Sequence, residues 1–143
     1  MPEQNYSNHT QRVPIFGVIL ILLLATVIGA AVNLYLSWGD HQRLYSASLI
    51  FVLSLCGTGA AIFSRSFALK AQDRAIRAEE NLRHYVLTGK LLDARLEPLQ
   101  IVALRFAADE EFPDLAKRAA AEGMKPDDIK KAVKNWRADF YRV

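Results

Sequence analysis

The chain has 143 residues, is 52% hydrophobic and carries a formal net charge of +3. That length leaves room for one small domain beside a pair of membrane spans, and so mild a charge does not by itself imply a nucleic-acid partner. The charges are unevenly placed. Only Arg12 and Arg43, and Glu3 and Asp40, precede residue 65, so residues 65–143 hold 16 of the 18 Lys and Arg and 13 of the 15 Asp and Glu.

Residues 1–12 (MPEQNYSNHTQR) show no periodicity and read as a disordered tail. Val13 to Leu36 contains no charged residue, and neither does Leu44 to Ser64. About 20 apolar residues span a hydrocarbon core of roughly 30 Å as a helix, so each run is long enough to cross a bilayer. The link from Ser37 to Arg43 is short. It forces the spans 13–36 and 44–64 into an antiparallel hairpin and puts both termini on one side. Arg12 precedes the first span, and Arg65, Lys70, Arg74 and Arg77 follow the second; Arg43 alone lies in the link. Lys and Arg near span ends stay in the cytoplasm, so both termini are expected there. Tyr35, Trp38 and Tyr45 then form an aromatic belt at the outer interface. A signal peptide, with Gly29 and Ala31 at a cleavage site, is the rival reading of the first run. The run is longer than the usual apolar stretch of about 7–15 residues, which favours a retained anchor.

The spans carry no ionisable side chain, which argues against an ion or substrate pathway. Asn33 is their one strongly polar group, and Cys56 reads as an inert apolar residue. Ala25 and Gly29 form a small-xxx-small pair, and Ser54, Gly57, Ala61 and Ser64 a smooth ridge. Such surfaces let helices approach closely, here by packing the hairpin on itself.

Beyond the second span no Gly or Pro occurs from Phe67 to Thr88, and good helix formers dominate. The second span is expected to continue without a break to about Leu87. Ala68, Ala71, Ala75, Ala78, Leu82 and Tyr85 recur at 3-4-3-4-3 spacing, the seam of a coiled coil, with Arg74 and Glu79 at g and e positions. This face either pairs between two chains or packs on the C-terminal helices of its own chain. Asp73 with Arg77 and Glu79 with Arg83 are spaced as helical ion pairs.

The segment 88–143 reads as a small helical domain. Pro98 opens a helix to about Ala107. Asp109 is the expected N-cap of the next, and Gly123 its stop. Pro126 opens the last helix, on which Ile129, Val133, Trp136 and Phe140 make one apolar stripe. Leu99, Val102, Phe106, Phe112 and Leu115 are the expected core partners. Lys130, Lys131, Lys134 and Arg137 occupy the other faces of that helix.

His9, His41 and His84 lack metal-ligand spacing, and no phosphate loop or nucleophile elbow occurs. No cofactor and no small-molecule substrate are expected. Residues 115–137 do show a helix, a Gly turn and a second helix at helix-turn-helix spacing. Asp127 and Asp128 would then lead the second helix toward phosphates, so nucleic acid is the alternative rather than the expected partner.

The phrases HQRLYSASLIF, FALKAQDRAIRAEENLRHYVLTGKLLDARL, LRFAADEEFP and IKKAVKNWRADFYRV resemble an uncharacterised, domain-of-unknown-function family of small bacterial membrane proteins, over nearly the whole chain. The resemblance implies a two-span inner-membrane protein and brings no activity, ligand or catalytic residue. Lys125 stands where a Ser or Thr cap is expected before Pro126. The expectation is an all-α, multi-pass membrane protein that is not an enzyme. Its partners would be the lipid bilayer and either a second copy or a larger membrane complex. Ala71, Ala75, Ala78, Leu82, Lys130, Lys131, Lys134 and Arg137 are the candidate interaction residues.

Overall fold

The computed structural model describes residues 4–10 and 13–140. Arg12, part of the expected tail and the last three residues lie outside them. The described residues form five α-helices and one isolated antiparallel bridge, Ala107 with Trp136. The fold is all-α, a pair of long apolar helices with a small helical region after them. It divides into two units, Arg12–Ala68 and Leu69–Val143 together with Met1–Gln11.

The first unit is a hairpin. Helix α1, Pro14–Leu36, has Pro in its first turn, where a missing amide donor costs nothing. It ends where Ser37 turns both its amide and its hydroxyl onto the Asn33 carbonyl. Gly39 sits at φ 100°, a conformation that favours glycine. Asp40 Oδ1 then accepts the Gln42 and Arg43 amides at 3.2 Å each and caps the start of α2, His41–Thr88. The less exposed positions of α1 are Phe16, Leu20, Leu23, Val27, Ala30 and Leu34. On α2 they include Leu44, Ala47, Phe51, Ser54, Thr58 and Ala61, with Ser48, Gly57 and Gly59 beside them. Both rows step by three and four, the period of a helix seam, and they meet where a Cβ on Gly57 would lie 3.8 Å from Leu23 Cδ2. The Ser and Thr hydroxyls of this unit close on their own helices, as Thr26 does on Leu22, Ser54 on Phe51 and Thr58 on Ser54.

Helix α2 is one helix of 48 residues, with no break at Ser64–Phe67. Its part from Leu69 onward belongs to the second unit, with α3 (Pro98–Leu104), α4 (Phe112–Glu122) and α5 (Pro126–Ala132). The core of that unit centres on Leu104, Phe106, Phe112 and Ile129, all fully buried. Each such side chain stabilises the fold by about 1.5–3 kcal/mol relative to exposure. Phe112, Leu115, Ala116 and Ala119 supply the buried face of α4 at the i, i+3, i+4, i+7 spacing of an amphipathic helix. Gly123 ends α4 at φ 61°, and the Met124 amide returns to the Ala119 carbonyl at 3.1 Å. Lys125 starts α5 without a side-chain cap.

Three expectations need correction. Helix α5 stops at Ala132, so Trp136 and Phe140 are not on a helical stripe with Ile129 and Val133. The reason is tertiary. The Glu111 carboxylate accepts the Lys134 and Asn135 amides at 2.9 to 3.2 Å. The Arg137 amide then donates to the Phe106 carbonyl at 2.7 Å. Those donors would otherwise have continued the helix. Trp136 still packs, half-buried, on Phe106 with ring centres 4.9 Å apart, whereas Phe140 and Leu99 are exposed. Asp109 does not cap α4. Glu111 takes the N-cap position, and Asp109 faces Arg83. The described part of the tail, finally, is held against the second unit. Gln4, buried, trades two hydrogen bonds with the main chain of Asp139. The Tyr6 hydroxyl donates to Asp127 at 2.7 Å, and the His9 ring lies against Phe106 and Trp136.

Candidate interaction surface

Within the second unit α2 has two faces with different fates. One carries Gln72, Ile76, Glu80, Arg83 and His84, which are buried or half-buried against the rest of the unit. Arg83 is its pin. Nε donates to Asp109 at 2.6 Å, Nη1 to Glu80 at 2.9 Å, and Nη2 to the Ala107 carbonyl at 2.7 Å. The guanidinium also lies 4.4 Å from the Phe112 ring centre. Planar, five-donor geometry suits Arg to such a node and Lys poorly. His84 stands one residue on, its Nδ1 at 2.7 Å from the Lys90 carbonyl and its ring edge-on to Phe112. A carbonyl only accepts, so Nδ1 carries the proton. Around this face a cleft of about 320 Å³ lies between Gln72, Ala75, Ile76, Glu79 and Glu80 of α2 and Arg105, Arg137, Ala138 and Asp139. Arg137 reaches Glu80 at 3.5 Å and Arg105 reaches Asp139 at 3.2 Å.

The other face carries Ala71, Ala75, Ala78 and Leu82, and all four are exposed. The seam is thus largely open, although Ala75 borders the cleft that α2 shares with Arg105, Arg137, Ala138 and Asp139. Leu82 is 63% exposed, and Tyr85 and Val86 beside it are 52% and 75% exposed. The Glu79–Arg83 ion pair expected from spacing is absent among the described residues, because Arg83 is committed to Glu80 and Asp109.

The basic candidates do not gather into a phosphate-binding row. Lys130 stands 3.3 Å from His9 Nε2, Lys131 pairs with Asp127 at 3.4 Å and lies over the Tyr6 ring, and Arg137 reaches Glu80. Lys134 and Arg137 lie past the end of α5, a helix of seven residues. The Tyr6 hydroxyl, then Lys131, holds Asp127 below the usual carboxylate range. The same bond to Asp127 pushes the Tyr6 phenol up, and the Asp127 carboxylate raises Lys131. In the turn after α2, the side chain and amide of Arg95 bring Asp93 down to about 2.

In the hairpin, Ser54 and Gly57 of the α2 ridge do face α1. Ala25 and Gly29 are exposed and lie off the seam. Among the described residues no three His, Cys, Asp or Glu side chains gather as a metal site. Sequence reasoning missed Gln72, Ile76, Glu80, Arg83 and His84 as a set. Their i, i+4, i+8 spacing was visible, but four of the five are polar, and a search for apolar stripes passes over them.

Two helices, Pro14–Leu36 and His41–Thr88, are long and apolar enough to cross a membrane, at mean hydropathy 2.9 and 1.9. No curated protein and no solved structure matches the chain. The model of a family of unknown function, DUF6526, matches residues 1–143, and the protein belongs to that family.

Proposed function

We propose that the protein is a non-enzymatic integral protein of the bacterial inner membrane, with both termini cytoplasmic. It would act as a membrane-anchored interaction module or an accessory subunit of a membrane assembly. The observation that carries the reading is the pairing of two bare surfaces. In both apolar helices nearly all of the apolar window is unburied, at 6% and 11% buried, which is opposite to a core helix of a water-soluble domain. On α2 beyond the hairpin, a second apolar row is left open by the domain beside it.

Supporting details agree. Hydroxyls in the spans are satisfied by their own helices, as a hydrocarbon setting requires. Tyr35, Trp38 and Tyr45 are exposed at the linked end of the hairpin, where interfacial aromatics belong. The Lys and Arg count favours the opposite end as cytoplasmic. Residues 4–10 belong to the same unit as the segment after α2, which suits termini on a common side. The buried charged groups of that unit engage one another, Arg83 with Glu80 and Asp109, and Arg105 with Asp139. That suits a structural core better than a reacting centre.

Topology reporters test the anchor. A cytoplasm-active reporter fused after Val143 should work, and one active only outside should work when inserted at Gly39-Asp40. The reverse pattern removes the reading. Mild detergent extraction should yield either a self-assembly or a partner at fixed stoichiometry, and a monomer alone would speak against the module.

A further inference from the structure

We propose that two copies of this chain form a parallel dimer through the exposed face of α2. Ala71, Ala75, Ala78, Leu82 and Tyr85 of each copy meet their counterparts, and Arg74 of one copy pairs with Glu79 of the other. The proposal rests on the membrane anchor above, since copies inserted in one bilayer in the same sense present α2 in parallel.

The first argument is the division of the helix surface. With Ala75 at position a and Ala78 at position d, Ile76 falls at b, Glu80 at f, Arg83 at b and His84 at c. These are buried or half-buried by the chain's own domain, which also reaches Gln72 at e and Asn81 at g, the latter accepting the Leu92 amide at 2.9 Å. Positions b, c and f point away from a coiled-coil seam, so the domain lies mainly on the outer side, and the a and d row stays exposed although Ala75 borders the domain's cleft. The row is not merely small. Leu82 and Tyr85 of the row, and Val86 at the flanking e position, keep more than half of their surface in the open, an arrangement that burial in an interface would relieve.

The second argument is charge. In a parallel pair a g residue meets the e residue five positions later on its partner. Arg74 is at g and Glu79 at e, five on, so twofold symmetry forms the pair twice. An antiparallel pair instead brings g toward g and e toward e, setting Arg74 against Arg74. Among the described residues neither Arg74 nor Glu79 is ion-paired, and Arg83, the natural intrachain partner of Glu79, is already spent on Glu80 and Asp109. Opposite charges are thus left at the two positions a parallel dimer brings together. Alanines at a and d let the two helices approach closely.

The test uses the full chain in native membranes with Cys56→Ser, so that one introduced cysteine reports each position. A disulfide needs Cα atoms within about 7 Å. Ala75→Cys and Ala78→Cys should be oxidised to a dimer of twice the monomer mass. Arg77→Cys, at an exposed position c, should stay at background. In the Ala78→Cys chain, Arg74→Glu should weaken dimerisation roughly five-fold, as expected for two exposed charge pairs, and adding Glu79→Arg should restore it. Equal oxidation at all three cysteines, none at Ala75→Cys and Ala78→Cys, a product of another mass, or a double swap that fails to restore would each overturn the dimer. The topology reporters, read in the same cells, separate the two ideas. Correct topology with no seam disulfide refutes the dimer and leaves the anchor, whereas reversed topology refutes the anchor itself.

Discussion

Replacing Arg83 with Met removes every polar contact of the pin while keeping most of its hydrocarbon over Phe112. The cost follows from what is left behind. The Glu80 side chain is 6% exposed and, among the described residues, keeps Arg137 at 3.5 Å as its one cation. Asp109 is 61% exposed and returns to water at little cost. The Ala107 carbonyl loses a donor at 2.7 Å, and the Phe112 ring loses a cation. Removing one partner of a buried pair costs about 3–5 kcal/mol. Arg137 screens Glu80 in part, so about 3 kcal/mol is the expected loss. For a domain of this size that lowers Tm by roughly 12–24 °C. Thermal unfolding of the full chain in mild detergent reads it, with Trp38→Phe so that Trp136 fluorescence reports the second unit alone. Adding Glu80→Gln leaves a neutral amide where a stranded carboxylate stood, and should recover part of the loss. A Tm for Arg83→Met within about 4 °C of wild type, which is less than about 1 kcal/mol, would refute the reasoning. So would a double variant no more stable than the single one.

Trp136→Ala should cost about 2 kcal/mol, below the roughly 3–5 kcal/mol of a fully buried Trp, because the ring is half-buried and stacked on Phe106. Denaturant titration checks it, and a loss as large as that of Phe106→Ala would contradict the assignment. Gly123→Ala should cost about 1–2 kcal/mol from the left-handed backbone alone, since a Cβ there meets nothing within 4 Å; Gly123→Asn should cost less, by the same melting assay. The hold of Tyr6 on Asp127 depends on pH in two ways. Asp127 is depressed in the fold, so its contribution is present above the ordinary carboxylate value of about 3.9 and lost as pH falls through the folded value. Tyr6 is raised, so its contribution is present below about 10 and lost as pH rises through its folded value. Hydrogen exchange in residues 5–9 should therefore speed up, beyond the intrinsic pH effect, from pH 5 to 2.5. An acid response that persists unchanged in Asp127→Asn would assign it elsewhere.

The hairpin, the unbroken α2 and the Gly123 stop were legible because each rests on local chemistry: charge-free runs, helix formers without Gly or Pro, and a glycine where φ must be positive. The Ala seam was legible as a face but not in its use. Which side of α2 the domain takes depends on Arg83 meeting Asp109 and Ala107, contacts 24 to 26 residues apart in sequence. The end of α5 was hidden for the same reason. Nothing near Val133 forbids helix, and the helix stops because Glu111, far back in the chain, claims the next two amides. The hold of Gln4 on Asp139 spans 135 residues and leaves no periodic trace. A polar stretch without a pattern looks alike whether it floats or docks.

The bonds between Gln4 and Asp139 also impose an order on biosynthesis. Gln4 finds its place only against a residue made 135 positions later, with the whole hairpin made in between. At about 5–20 residues per second the wait is on the order of ten seconds, and the Tyr6 and His9 rings spend it without Asp127, Phe106 and Trp136. The hairpin is therefore fully synthesised before the second unit closes over residues 4–10. A bulky group attached ahead of Gln4 should obstruct that last step while leaving the hairpin untouched.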